Sequence, residues 1–401
     1  MRPVRGDTTQ PVLALLSATG RKLLGQVADA DLAPAGILAL SASLRAEYPA
    51  DLVAAALTQQ ALRVAGRAKF GLADQMLFTR SGLEQASSEP VARHTATRFA
   101  GAAAVADLCC GIGGDLIALA SHGGRLIGVD SDRVSLELAR HNVSVYAPSS
   151  QAAFVCADVM ELKLAGFGAV YIDPARRVGQ RRLPSGQYAP PLGWCVRLAA
   201  SVPQVGIKAA PGLRRDLVPP GWETEFVSVG RELKEALIWS PELATSVSRA
   251  TVLPSGDTLT SDAEAEPVPL ALPGAFLFDP NPAITRAGLV ADLARQLGAW
   301  QIDPMIAFLS ADAPAITPFA RTLRVVESAP WHEKRFAAKL RELGIGAADI
   351  RRRGLAGDVE RIHRRLGLRG AGAAVLVLTR VSDRPWGLIC APYPDPEARR
   401  P

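Results

Sequence analysis

The stretch VADLCCGIGGDLIALA, Val105 to Ala120, decides how this chain is read. An apolar run meets Asp107, glycines follow at Gly111, Gly113 and Gly114, and a helix-like segment begins. Glycine after a strand permits positive φ and lets the backbone come close to a ligand. The helix that follows offers free N–H groups at its start. Phosphate, dinucleotide and adenosyl sites all use such a loop, so the choice among them lies downstream.

Three acids supply it. Asp130 closes the next strand-like run, RLIGVD, sixteen residues past Gly114. An acid there accepts hydrogen bonds from both hydroxyls of a ribose. Asp158 closes FVCAD, where a carboxylate meets an adenine amino group, and Asp173 closes VYIDP. Including Asp107, four consecutive strands end on an acid. In an open parallel sheet the carboxyl ends of the strands form the ligand crevice. Short apolar runs alternating with helical segments from Ala104 to about Ser240 predict such a parallel α/β sheet.

On these residues the chain resembles the class I S-adenosylmethionine-dependent methyltransferases. DLCCGIGG looks like their first motif, GVDSD the second, CADV the third, and DPAR stands at the fourth. The resemblance covers roughly residues 100–240. It implies S-adenosyl-L-methionine as cofactor, held by Asp107, Cys109, Gly111, Gly113, Asp130, Asp158 and Val159. Asp107 would sit near the methionine end, Asp130 on the ribose, and Asp158 with Val159 at the adenine. Cys109 departs from the pattern, standing where the motif usually has its first glycine. A dinucleotide-binding Rossmann domain is the alternative for the glycine loop.

The whole chain is also similar to the bacterial methyltransferases with a C-terminal THUMP-like domain. That likeness rests on FTRSGLEQASSEPVARHTATRF before the fold, DPARR within it and the tail RRRGLAGDVERIHRRLGLRGAGAAVLVLTR. THUMP domains are RNA-binding modules of tRNA-modifying enzymes, so the resemblance implies a tRNA or rRNA substrate. The implied fold is α/β: a Rossmann-like class I methyltransferase sheet with an N-terminal helical domain and a small C-terminal α/β, THUMP-like domain. The expected divisions are 1–95, 96–250 and 270–401, with residues 241–274 polar, Pro-rich and read as a linker or long loop.

The fourth motif restricts the chemistry. Methyltransferases acting on exocyclic amines usually show Asp/Asn-Pro-Pro-aromatic, whereas this chain has Asp173-Pro174-Ala175-Arg176. Arg176 replaces the aromatic with a guanidinium, which stacks on bases and pairs with phosphate. Asp173 and Pro174 would position the acceptor, with Arg176 and Lys208 on its phosphate or base. Ribose 2′-O methylation is the alternative: Lys69, Asp173, Lys208 and Glu235 resemble a Lys-Asp-Lys-Glu set in which a lysine removes a hydroxyl proton. Cys195, the candidate nucleophile for C5 methylation, lies in helix-like PLGWCVRLA and reads as core packing. Gln85, Ser87, Ser88 and Glu89 read either as a lid over the cofactor or as a helix start capped by Ser88.

Charge supports a polyanion partner. The formal net charge is +6 and the excess is arginine-rich. Arg351, Arg352, Arg353, Arg361, Arg364 and Arg365 fall within fifteen residues and are the expected RNA contacts, a solvated helix face being the alternative. Five cysteines and five histidines show no metal spacing, and no disulfide framework is indicated. No apolar run reaches membrane-spanning length. The expectation is a cytoplasmic protein with no metal and no membrane contact. A non-catalytic RNA-binding scaffold and a small-molecule methyltransferase remain as rival functions.

Overall fold

The computed structural model describes residues 10–30, 33–121, 123–164, 166–175, 177–178, 181–182, 187–262, 266–355 and 357–393. It divides into two compact units: residues up to Glu223 with Ala236–Thr245, and Thr224–Glu235 with the chain from Ser246 onward.

The first unit opens with helices α1 (Gln10–Ala14), α2 (Ala18–Gln26), α3 (Pro34–Leu44), α4 (Ala50–Gly66), α5 (Arg80–Gln85) and α6 (Glu89–Thr97). They belong to the same compact unit as the sheet that follows. Asn142 shows how the two are joined. Fully buried, it accepts from the Leu77 amide at 2.8 Å and donates to the carbonyls of Leu77 at 3.0 Å and Ile112 at 2.9 Å. One side chain thus ties the segment after α4 to the glycine turn.

The sheet strands are β1 (Ala104–Leu108), β2 (Arg125–Asp130), β3 (Ala153–Cys156) and β4 (Ala169–Ile172); after a short pair, β5 (Arg177–Val178) and β6 (Arg181–Arg182), comes β7 (Gln204–Ala209). Helices α7 (Gly114–Ala120), α8 (Arg133–Tyr146) and α9 (Leu192–Arg197) connect them. The order is β3-β2-β1-β4-β7, every neighbour parallel. β1 and β4 are buried along their whole length, as expected of central parallel strands covered on both faces. The chain order reverses between β1 and β4, which is where such sheets place their ligand crevice. The ALIWS run corrects one expectation. Its Ala236–Trp239 part runs antiparallel to β7 instead of extending the parallel set.

The second unit contains β8 (Glu223–Val229) from Thr224 on, and the start of β9 (Glu232–Trp239). Next come β10 (Ser248–Leu253) and β11 (Asp257–Thr260), which overturn the linker reading of 241–274. Ser and Thr at strand positions read as loop chemistry in sequence. Here the Ser248 hydroxyl donates to the Ala287 carbonyl at 2.7 Å and that of Thr251 to Glu225, so both are buried at no polar cost.

A seven-stranded sheet follows, built from β12 (Phe276–Pro280), β13 (Trp300–Gln301), β14 (Leu309–Ala311), β15 (Ala320–Pro330), β16 (Ile345–Arg352), β17 (Gly372–Val381) and β18 (Arg384–Pro392). Helices α10 (Pro282–Ala287), α11 (Val290–Leu297), α12 (Glu333–Glu342) and α13 (Val359–Leu366) accompany it. Successive residues of β17 face opposite ways. Val375 and Val377 join a core with Phe308 and Leu323, while Leu376 and Leu378 join another with Phe336, Leu340 and Leu366. The α/β expectation for this region holds. No helix among the described residues is long and apolar enough to cross a membrane.

Candidate functional site

The site lies at the carboxyl ends of β1, β2 and β4 in the first unit. After β1 the chain turns sharply: Cys109, Gly111 and Gly113 have φ of 62°, 53° and 86°. Cys109 is the departure noted in the sequence. It occupies the left-handed region where glycine is cost-free, so it carries about 1–2 kcal/mol of strain. A Cβ on Gly111 would meet nothing within 4 Å. A Cβ on Gly113 would stand 3.2 Å from Ala139 of α8, so this glycine serves helix packing.

Asp130, at the tip of β2, accepts from the Gly111 amide and the Asp132 amide, each at 2.8 Å. Its carboxylate is thereby fixed against the glycine turn, one oxygen to each amide. Burial raises its pKa, and those backbone bonds work against the rise. Asp158 stands just past β3 and caps a short turn, accepting from the Met160 amide at 2.9 Å. It is exposed, while Val159 beside it is buried. The structure thus places Asp107, Cys109, Gly111, Gly113, Asp130, Asp158 and Val159 along adjacent strand tips, in the order the sequence expectation gave.

Asp107 is the unusual member. It is 1% exposed, and neither carboxylate oxygen has a hydrogen-bond partner among the described residues. Burial, then the nearby charges of Asp115 and Asp173, push its pKa well above the ordinary carboxylate range. Such an orphan is costly unless a ligand completes it.

Beside it lies a polar cluster. The Lys208 ammonium, on β7, donates to Asp173 Oδ2 at 2.8 Å and to Ser87 Oγ at 2.8 Å. Ser87 donates in turn to Asp115 Oδ2 at 3.0 Å, which lies 3.7 Å from the same ammonium. Asp115 is raised by burial, against the lowering effect of Lys208. Three carboxylates, Asp107, Asp115 and Asp173, therefore share one lysine. When all are ionised this cluster carries a formal charge of −2 (three acids against one base). That is a place for a cationic ligand. A sulfonium nucleoside with a free ammonium has two such centres, so the residues present fit it.

Pro174 is buried next to Asp173, and Ala175 pairs with Ala189 through two 2.9 Å backbone bonds. Arg176 lies outside the described residues. Cys195 is fully buried and its thiol is pushed up to about 12 by burial, in keeping with packing and not nucleophilic use. Ser88 occupies the helix N-cap position without a side-chain capping bond, and Ser87 faces Lys208. Sequence reasoning missed Asp115. An acid in the first turn of a helix reads as a dipole partner. Only folding brings it to Lys208.

The ribose-methylation set fares differently. Lys69 donates to the carbonyls of Leu83, Glu84 and Ala86 at 2.8, 3.0 and 2.8 Å, which engages its three N–H groups. Its visible work is to hold the segment that presents Ser87. Glu235 falls in the other compact unit.

Of the arginines expected on RNA, all six are in the second unit. Arg351 and Arg353 pair with buried Asp279, Arg365 pairs with Glu333, and Arg352 donates to the Leu355 carbonyl. Arg361 and Arg364 lie on α13.

Three family models match the chain: THUMP domain-like over residues 320–392, RNA cap guanine-N2 methyltransferase over 102–185, and a domain of unknown function over 8–66. An uncharacterized S-adenosylmethionine-dependent methyltransferase of Mycobacterium tuberculosis, strain H37Rv, is 39% identical over 313 residues, which span 77% of this chain and 85% of that protein. Its counterpart in strain CDC 1551 / Oshkosh matches equally. A crystal structure from Porphyromonas gingivalis W83, described as that of a methyltransferase, superposes with a TM-score of 0.73 at 20% identity. The match covers 90% of this chain and 99% of that one, so the two share a fold.

Proposed function

The chain belongs to the S-adenosylmethionine-dependent methyltransferases, and from that premise we propose that it methylates RNA, at a base of tRNA or rRNA. The observation that carries the proposal is the THUMP domain-like match over residues 320–392, in the unit that also holds the arginines. The RNA cap guanine-N2 methyltransferase model over 102–185 supports a nucleic-acid acceptor.

When bound, the cofactor supplies an activated methyl group on its sulfonium. The chain's residues bind and orient. Asp107 would hold the ammonium of the methionine end, Asp130 the ribose hydroxyls, and Asp158 the adenine amine, with Val159 beside it and Cys109, Gly111 and Gly113 forming the bare turn beneath. Methyl transfer from a sulfonium needs mainly in-line placement of the nucleophile. Asp173 accepts an N–H of an exocyclic amine, and takes the proton that the amine sheds on gaining the methyl. Lys208 holds that carboxylate in place through its 2.8 Å hydrogen bond. Arg176 is proposed to meet the acceptor's base or phosphate. Base methylation is favoured over ribose methylation because Lys69, the lysine that set needs as its first member, is engaged with backbone carbonyls.

The test is mass spectrometry of RNA nucleosides from a strain lacking the gene. One methylated base should vanish, return with the wild-type gene, and stay absent with Asp173→Ala. Unchanged base methylation, or loss of a 2′-O-methyl nucleoside instead, contradicts the proposal.

A further inference from the structure

The second unit contains a guanidinium cluster that the methyl-transfer site does not use. Its centre is Asp279, at the end of β12 and 2% exposed at its side chain. Arg231 Nη2 and Arg351 Nη1 each donate to Asp279 Oδ2 at 3.0 Å, and Arg353 Nη2 to Oδ1 at 2.9 Å. Arg231 donates also to the Asp279 carbonyl at 3.2 Å. A fourth, Arg321, stands opposite Asp279 in the β12–β15 register and reaches Asp349 Oδ2 at 3.4 Å. Asp349 accepts from Arg351 as well.

One buried carboxylate needs about one cation, yet this cluster sets four guanidiniums against two carboxylates, a formal charge of +2. The surplus is felt locally. Burial lowers the Arg231 pKa first; Asp279 opposes this, but Arg351, Arg321 and Arg353 lower it further. The four side chains are 38%, 30%, 32% and 31% exposed for Arg231, Arg321, Arg351 and Arg353, so each is part-way open to solvent. Arg353 is also stacked on Phe308, 4.8 Å from the ring centre, and its Nη1 is buried with no hydrogen-bond partner among the described residues. A knot made only for packing would satisfy its donors or dispense with the extra charges. Partly exposed guanidiniums held by an anchor, with more positive charge than the anchor needs, suit phosphate oxygens.

We propose that Arg231, Arg321, Arg351 and Arg353 form a seat for backbone phosphates of RNA, preset by Asp279. The inference rests on the RNA reading given above and names the surface that carries it. Arg231 and Arg321 come from segments 90 residues apart in sequence and outside the arginine-rich tail. Arg351 and Arg353 are the tail members whose alternate positions on β16 and just after it bring them to the same carboxylate. No base readout is built here, so the seat positions RNA without reading its sequence.

The experiment measures binding of a fluorescein-labelled, unmodified tRNA transcript to the full chain by anisotropy, across a potassium chloride series. The log–log salt slope counts phosphates neutralised, and falls by about one for each lost contact. Arg231→Gln/Arg321→Gln leaves two arginines on Asp279 and should lower the slope by about two, with S-adenosylmethionine affinity unchanged. Arg321→Gln alone, which leaves all three Asp279 pairs, should lower it by about one. A matched pair of exposed arginines in the first unit, Arg67→Gln/Arg214→Gln, should leave it unchanged. An unaltered slope in the cluster variants, or an equal drop in the matched pair, overturns this inference and leaves RNA methylation standing. A wild-type chain that binds no RNA at low salt overturns both.

Discussion

Replacing Asp107 by Asn separates stability from cofactor binding. The wild-type carboxyl is buried without a hydrogen-bond partner among the described residues, and its pKa is raised well above the ordinary range. The folded protein therefore holds a proton that the unfolded chain releases near pH ~3.9. For a group shifted this way, stability is undiminished below the unfolded value and falls as pH rises toward the folded one. The slope is at most about 1.4 kcal/mol per pH unit. Asp107→Asn keeps the shape and removes the titration. The variant should gain about 1 kcal/mol relative to wild type between pH ~4.5 and ~5.5, read by urea unfolding without ligand. The same change removes the charge-assisted bond proposed to the cofactor ammonium. Such bonds contribute about 1.5–3 kcal/mol, so calorimetry should show S-adenosylmethionine binding weakened about 10- to 150-fold. A stability difference that does not vary with pH, or an affinity within about threefold of wild type, would refute the reasoning for this residue.

Three further outcomes follow from the same geometry. Gly111→Ala should cost only the strain of a left-handed alanine, about 1–2 kcal/mol, yet weaken cofactor binding at least tenfold, whereas Gly113→Ala should lose more stability because its Cβ meets Ala139; paired melts and titrations check this. Lys208→Met leaves Asp115 and Asp173 without their shared cation, at a cost of about 3–5 kcal/mol at neutral pH. That deficit should shrink as acid protonates Asp115, whose pKa burial raises, so wild type and variant should differ less in melts at pH ~5 than at pH ~7.5. Lys69→Met should destabilise by about 2–4 kcal/mol through three lost carbonyl bonds, while any activity that remains keeps the wild-type pH profile; a shifted profile would mark Lys69 as a base after all.

The methyltransferase sheet was legible because its signal is local. Each apolar run meets its acid within a few residues, and the glycines announce the turn before any contact is known. Candidate cofactor residues such as Asp130 could be named for the same reason: a strand tip is a place in sequence as well as in space. The polar cluster was only half legible. Asp173 and Lys208 sit at strand ends, but Asp115 and Ser87 gain meaning from contacts across 93 and 121 positions to Lys208, which no periodicity encodes. The tail arginines show the same limit: charge density is visible in sequence, whereas the buried carboxylate that gathers Arg351 and Arg353 with Arg231 lies far upstream. Residues 248–260 were misread because Ser and Thr belong equally to loops and to strands whose hydroxyls find partners.

The most direct measurement is transfer of a labelled methyl group from S-adenosylmethionine to total RNA taken from cells lacking the gene. The account predicts label in RNA with the wild-type chain, and at least a hundredfold less with Asp173→Asn, whose cofactor affinity should stay within about threefold. Label absent from RNA in both, or equal in both, would contradict it.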